Sequence, residues 1–149
     1  MSIRVSSGRA RRAILLTALF ALVLSLVAAC AGAGGPDELD GTAWQLVGWA
    51  EEATDPAAHT VTIIFDGDQA GGQAPVNSYG GTFSTGRGGA FATSEIAQTL
   101  MAGSEPAMEA EATYFRLLAE AASYEVTAER LALSNAGGDE VLVFEPLAR

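Results

Sequence analysis

The residue best suited to covalent chemistry is Cys30, the only cysteine in the chain. Val27-Ala28-Ala29 stand directly before it, and small residues at those positions fit the groove of a lipoprotein signal peptidase. A cut before Cys30 leaves a thiol, the one strong nucleophile on offer for a diacylglycerol, and a new amine open to acylation. The flanking residues support the same chemistry. Arg4, Arg9, Arg11 and Arg12 form a basic leader, and Ala13 to Ala29 is apolar except for Thr17 and Ser25. That run of 17 residues sits at the bottom of the range that spans a bilayer, which favours a cleaved signal over a retained anchor. Residues 1–29 therefore read as a lipoprotein signal peptide, with Val27, Ala28 and Ala29 as its lipobox and Cys30 as the lipidation site. The mature protein is expected on the extracytoplasmic face of the cell membrane, held by palmitate-type acyl chains. Arg11-Arg12 leaves the general and the twin-arginine export routes both open.

No other residue set is as specific. His59 is the single histidine, so a Ser-His-Asp mechanism would rest on it alone, and no G-x-S-x-G turn accompanies it. It reads as a surface residue. Asp66-Gly67-Asp68 opens like a calcium loop, but Ala70 and Asn77 occupy the fifth and twelfth positions, where an oxygen ligand and a carboxylate are needed. A β-turn is the simpler reading. One histidine and a lipidated cysteine would leave a transition-metal site almost wholly carboxylate, so neither metal nor cofactor is expected. Glu109 and Glu111 lie two apart on a predicted helix, do not face each other, and read as solvated. Trp44 shares a strand face with Leu46 and belongs to the core. Trp49 falls on the other face; with Tyr79 and Phe83 as neighbours it is the candidate lining of a ligand mouth or partner surface.

These residues need elements to hold them. Gly41 to Trp49 is rich in β-formers and aromatics, and Val61, Ile63 and Phe65 alternate along a second strand. A third extended stretch is predicted over Gln73 to Ser84 and a fourth over Ala90 to Ile96, with Gly-rich turns between. Ser104 to Ala122 reads as a helix with Ser104 at its N-cap and an apolar stripe of Met108, Ala112, Phe115, Leu118, Ala119 and Ala122. Tyr124 to Thr127, Arg130 to Ser134 and Val141 to Phe144 follow as strands, broken at Ala128-Glu129 and Asn135 to Asp139. The predicted fold is mainly β with one α-helix (α+β): a small antiparallel, barrel-like bent sheet closed by that helix. Residues 41–147 form this domain, and residues 30–40, Gly-, Ala- and Pro-containing, form a flexible tether from the lipidated cysteine.

Charge narrows the partners. The chain has 8 Lys+Arg against 18 Asp+Glu, a net charge of −10. From Cys30 onward there are 4 Arg, no Lys and 18 acids, a net charge of −14. Nucleic acid is excluded as a general partner, because phosphate neutralisation needs clustered cations. The same acid excess holds the domain off anionic headgroups.

Five stretches, Gly41 to Leu46, Asn77-Ser78-Tyr79-Gly80-Gly81, Thr99-Leu100-Met101-Ala102, Met108-Glu109 with Glu111, and Leu131 to Leu133, resemble in order and spacing the META domain of HslJ-like bacterial envelope lipoproteins. The resemblance covers residues 39 to 146. It implies a β-dominated, barrel-like fold with one helix and no established catalytic activity. It also points to a related fold in a lipid-binding pilot protein for secretin assembly. Two positions depart from the family. Pro75-Val76-Asn77 stands where Gly-Cys-Asn is common, and Met101-Ala102-Gly103 where Met-Ala-Cys is common. If those cysteines pair in relatives, losing both together avoids a stray thiol outside the cell.

The expected function is that of a lipid-anchored, non-enzymatic envelope protein, partner-binding or envelope-stress related, that meets the membrane through Cys30 and an envelope protein through its domain. The alternative is a carrier or sensor of a small apolar ligand held in the barrel, for which a packed interior would be the contrary finding. An enzyme would need carboxylates converging in a cleft.

Overall fold

The computed structural model describes residues 38–51 and 55–147. The signal peptide, the lipobox residues Val27, Ala28 and Ala29, the lipidation site Cys30 and the tether as far as residue 37 lie outside the described residues. The elements run β1 (Ala43–Trp49), a 3-10 turn (Pro56–Ala58), β2 (Thr62–Asp66), β3 (Gln69–Gln73), β4 (Ser78–Gly86), β5 (Ala90–Gln98), α1 (Glu105–Glu120), β6 (Ala121–Val126), β7 (Leu131–Asn135) and β8 (Glu140–Pro146). Each strand is antiparallel to the next, and β8 returns to pair with β1, so the eight strands close into a ring. The mainly β fold with one helix is as the sequence predicts.

The interior is filled by alternate side chains. Ile63 and Phe65 point in from β2 while Ile64 between them is 46% exposed, the period-2 signature of a half-buried strand. Trp44, Leu46, Leu131, Leu133, Leu142 and Phe144 are buried with them. Phe65, Phe83 and Phe91 pack against one another, Phe65 edge-to-face on the other two, with Phe65–Phe83 ring centroids 4.8 Å apart.

Four features differ from the sequence reading. There are eight strands, not seven, because Gln69-Ala70-Gly71-Gly72-Gln73 is a strand in its own right. Its composition hides it, since glycine is a poor strand former. A side chain there would not fit: a Cβ on Gly72 would lie 2.2 Å from the Thr62 carbonyl oxygen, and one on Gly71 2.7 Å from that of Tyr79. The turn between β2 and β3 is then only Gly67-Asp68, with Gly67 at φ +60°. The domain also begins before residue 41. Leu39, assigned to the tether by its Gly- and Pro-containing neighbours, is fully buried, and Asp40 accepts a 2.7 Å hydrogen bond from the Gly67 amide. Finally, a bulge between Leu46 and Gly48 breaks the alternation in β1, so Trp49 packs, half-buried, against the core that strict parity would turn it from.

One seam of the ring is thin. β4 and β5 pair along their whole length, from Tyr79↔Gln98 to Gly86↔Ala90. β5 and β6 meet only at Ala90↔Ser123. The helix α1 joins these two strands and packs on β5, β7 and β8.

Candidate functional site

The helix is held by a side chain that its spacing alone would send to water. Glu111 is only 7% exposed. Its Oε2 accepts hydrogen bonds from the backbone amides of Val76 and Asn77, at 2.9 and 2.7 Å. Its Oε1 accepts from Asn77 Nδ2 at 2.7 Å. Asn77, itself 4% exposed, uses its remaining capacity on the segment before α1. Its Oδ1 accepts from Thr99 Oγ1 at 2.7 Å and from the Met101 amide at 2.8 Å, and Nδ2 also reaches the Met101 carbonyl at 3.4 Å. Asn77 thus meets both donors and both acceptors of its amide. Three stretches distant in sequence, 76–77, 99–101 and α1, are tied at one buried point.

The buried face of α1 is Ala110, Glu111, Tyr114, Leu117 and Leu118. This corrects the predicted stripe: of its members only Leu118 is buried, while Met108, Ala112 and Ala119 are exposed and Phe115 and Ala122 half-buried. Both faces carry apolar residues, and treating Glu111 as solvated turned the helix the wrong way. Ser104 is the N-cap, through its carbonyl, which accepts the Met108 amide at 3.0 Å, and not through its hydroxyl. Beneath the helix, Tyr114 donates to the Tyr79 hydroxyl, which in turn donates to the Thr62 carbonyl at 2.9 Å. Burial pushes both tyrosines above their ordinary pKa; the bond from Tyr114 partly offsets this for Tyr79, and the neighbouring Tyr79 adds to it for Tyr114.

The outward stripe of α1 borders a trough. Leu100, Met101, Met108, Ala112 and Phe115 line a hollow of about 390 Å³ directly over the Asn77–Glu111 network. Thr93, Ile96, Phe115, Leu118 and Ala119 line a second of about 290 Å³. Gln98 and Phe115 belong to both, so the two form one trough between α1 and β5. Leu100 is 93% exposed, Met101 57% and Met108 50%. Glu105 and Glu109 on α1 and Glu95 on β5 are exposed to solvent. Arg116, the one cation of the helix, is engaged by Glu51 and Glu120, each at 3.1 Å.

The structure does not bring Trp49, Tyr79 and Phe83 together as a surface. Tyr79 and Phe83 are buried, at 7% and 8% exposure, because the alternation of β4 turns both inward. His59 is half-exposed where the 3-10 turn ends. Asp66 and Asp68 flank the hairpin turn, and the described residues hold no group of three or more His, Cys, Asp or Glu placed to bind a metal. The trough itself was missed. The signal was present in the sequence as a second apolar stripe on one helix, together with the apolar pair Leu100-Met101 in a loop.

A family model of the META domain matches residues 37–147. The chain belongs to the META domain family. Solved structures share the fold. An NMR structure of a protein from Burkholderia xenovorans matches with a TM-score of 0.64 at 22% identity, over 80% of this chain and 94% of that one. The crystal structure of a DUF4847 family protein from Bacteroides vulgatus matches with a TM-score of 0.56 at 14% identity, over 73% and 94%. No curated protein matches. Within this META domain, the resemblance-bearing Asn77, Thr99, Met101 and Glu111 form one hydrogen-bonded knot, which gives them a structural role. Val76 and Gly103, the positions where cysteines are common in the family, face each other: a Cβ on Gly103 would lie 3.4 Å from that of Val76.

Proposed function

We propose that this META domain protein is a non-enzymatic lipoprotein of the extracytoplasmic membrane face, anchored through Cys30, that holds an envelope protein in the trough beside α1. The observation that carries the reading is the exposure of Leu100, Met101 and Met108 around an apolar hollow. Large apolar side chains gathered at one open site are rare on a monomer surface and mark interaction sites. The lipobox supports the anchor, and the META domain match over residues 37–147 fits a non-enzymatic domain. The alternative, a small ligand inside the barrel, loses support from the packed aromatic interior.

The test places a photo-crosslinking residue at Ala112 in the full anchored chain, in its own membrane. One reproducible protein adduct is expected from Ala112 and none from the same residue at Asp68, on the β2–β3 turn and outside the lining of the trough. Equal labelling from both sites, or none from Ala112, defeats the partner reading. In parallel, Cys30→Ala must abolish incorporation of labelled palmitate; retained label would defeat the anchor.

A further inference from the structure

We propose that Met101 and Met108 are a reversible oxidation site: a peroxide converts both thioethers to sulfoxides in the folded domain and so ends the trough's hold on its partner. This rests on the partner-binding reading and adds its regulation. The first observation is where the sulfur lies. The chain has three methionines, Met1, Met101 and Met108, and Met1 belongs to the basic leader. The two that remain line one hollow, at 57% and 50% exposure. Among the described residues the core is built from Leu, Ile, Val, Phe, Tyr, Trp and Ala, without a methionine. The Cys30 thiol is taken by lipid on the anchor reading. An oxidant at the membrane face therefore meets accessible thioethers at the trough and none in the core.

The second observation is how the two residues are held. The Met101 amide donates to Asn77 Oδ1 at 2.8 Å, and the Met108 amide to the Ser104 carbonyl at 3.0 Å. Main-chain bonds fix both positions, and the Asn77–Glu111 knot beneath them uses no sulfur, so a change at either thioether leaves the fold in place. The third is the company the sulfurs keep. Leu100, Ala112 and Phe115 share the hollow and offer a sulfoxide oxygen no hydrogen bond. In the free protein that oxygen is hydrated, because both side chains are open to water. Under an apolar partner it would be buried without a donor. The penalty falls on the bound state alone, which is what a switch of affinity requires. The step balances. Sulfur gives a lone pair to one peroxide oxygen and the O–O bond breaks; the other oxygen leaves as hydroxide and takes the first oxygen's proton to become water. Sulfur loses two electrons and the peroxide gains them. A dithiol sulfoxide reductase reverses the change, its thiols becoming a disulfide and the oxygen leaving as water.

The experiment uses the full lipidated chain with the photo-crosslinking residue at Ala112, purified in peroxide-free non-ionic detergent. It is treated with hydrogen peroxide, freed of it, and returned to membranes from cells that lack the protein. Peptide mapping should find one added oxygen on Met101 and one on Met108, with the melting temperature within about 3 °C of the untreated chain. The adduct from Ala112 should fall about tenfold, the order expected of a polar atom buried without a partner. It should return after methionine sulfoxide reductases of both epimer types act with dithiothreitol. In the Met101→Leu, Met108→Leu chain the ratio of adduct before and after peroxide should be near one, whatever that chain's own capture. Oxygen on Trp49 in place of the methionines, or oxidation only as the domain unfolds, overturns the site. An oxidised chain that still forms the full adduct overturns the switch and leaves the partner reading standing, as does a loss that the reductases do not reverse. Absence of any adduct from the untreated chain defeats the partner reading, and the switch falls with it.

Discussion

The two faces of α1 are almost equally apolar, yet only one is closed. The inner face buries Tyr114, Leu117 and Leu118 and also a carboxylate, Glu111. The outer stripe offers Met108, Ala112, Phe115 and Ala119 to an open trough. Hydrophobicity does not choose between them. What chooses is the set of hydrogen-bond donors on 76–77, which only Glu111 can meet, so the helix seats with a charge inward and a methionine outward. A buried polar group can fix orientation where apolar area is indifferent.

The most severe break in that contrast is Glu111→Ala. It strands two backbone amides and the Asn77 amide in a buried site, and charge-assisted bonds of this kind make the expected loss about 4 kcal/mol. Thermal unfolding should show a fall in Tm on the order of 10 °C or more. Glu111→Gln is a sharper probe, because its NH2 must face a donor whichever way the amide turns; it should recover only part of the loss. A Glu111→Ala protein that melts within a degree of wild type would show that apolar packing alone seats the helix.

A covalent tie can be set against the polar one. Val76, whose amide binds Glu111, faces Gly103 just before the helix, at a Cβ separation of 3.4 Å, close to that of disulfide-bonded pairs. Val76→Cys with Gly103→Cys should oxidise spontaneously and add about 3.6 kcal/mol, the chain-entropy value for a loop of this size. Gly103→Cys alone should destabilise, since its Cβ would come within 2.5 Å of Val76 Cγ2. In the oxidised double variant Glu111→Ala should cost less than in wild type, because bridge and carboxylate restrain the same segments. Additive effects would mean that the two restraints are independent.

These contrasts also show what the sequence reveals. Alternation exposes β2 through Val61, Ile63 and Phe65, and Asn135 to Asp139 announces its turn through residues that bond their own backbone: Asn135 Oδ1 accepts the amides of Gly137 and Asp139. Such signals are local. Gly71 and Gly72 show no strand propensity because their reason is a neighbouring carbonyl, Tyr79 in one case and Thr62 in the other. Glu111 looks solvated because its partners lie 34 and 35 residues away. Strict parity along β1 turns Trp49 from the core, and the bulge between Leu46 and Gly48 changes that parity. The trough fails to announce itself for the same reason: it needs α1 and β5 side by side. Its lining is legible residue by residue, as the stripe whose spacing predicts a core face.

The inner face has a second signature, in alkali. Tyr79 and Tyr114 are both pushed above the ordinary tyrosine pKa by burial. Below about pH 10 folded and unfolded chains both keep these protons, and the contribution to stability is complete. Above it the unfolded chain releases protons that the folded chain retains, so stability falls by about 1.4 kcal/mol per pH unit for each tyrosine until the raised values are reached. Denaturant melts between pH 10 and 11 should show this slope, to which Tyr124, also raised by burial, adds, and Tyr114→Phe should remove about a third of it. An unchanged slope in that variant would place the titrating groups elsewhere.

The smallest expected effect separates the faces most cleanly. Leu100→Ser and Met108→Ser change residues that are 93% and 50% exposed, and substitutions at such sites stay within about 0.5 kcal/mol of wild type. If the outer stripe exists to be covered by a partner, these variants should melt normally and yet lose the adduct formed from Ala112. Stability and partner capture then come apart across one helix and the loop before it: Glu111 controls the first, Leu100 and Met108 the second. A loss of 2 kcal/mol or more from either serine variant would instead make the outer stripe part of what holds the domain together. Its exposure would then need a structural explanation, and the docking reading would lose its main support.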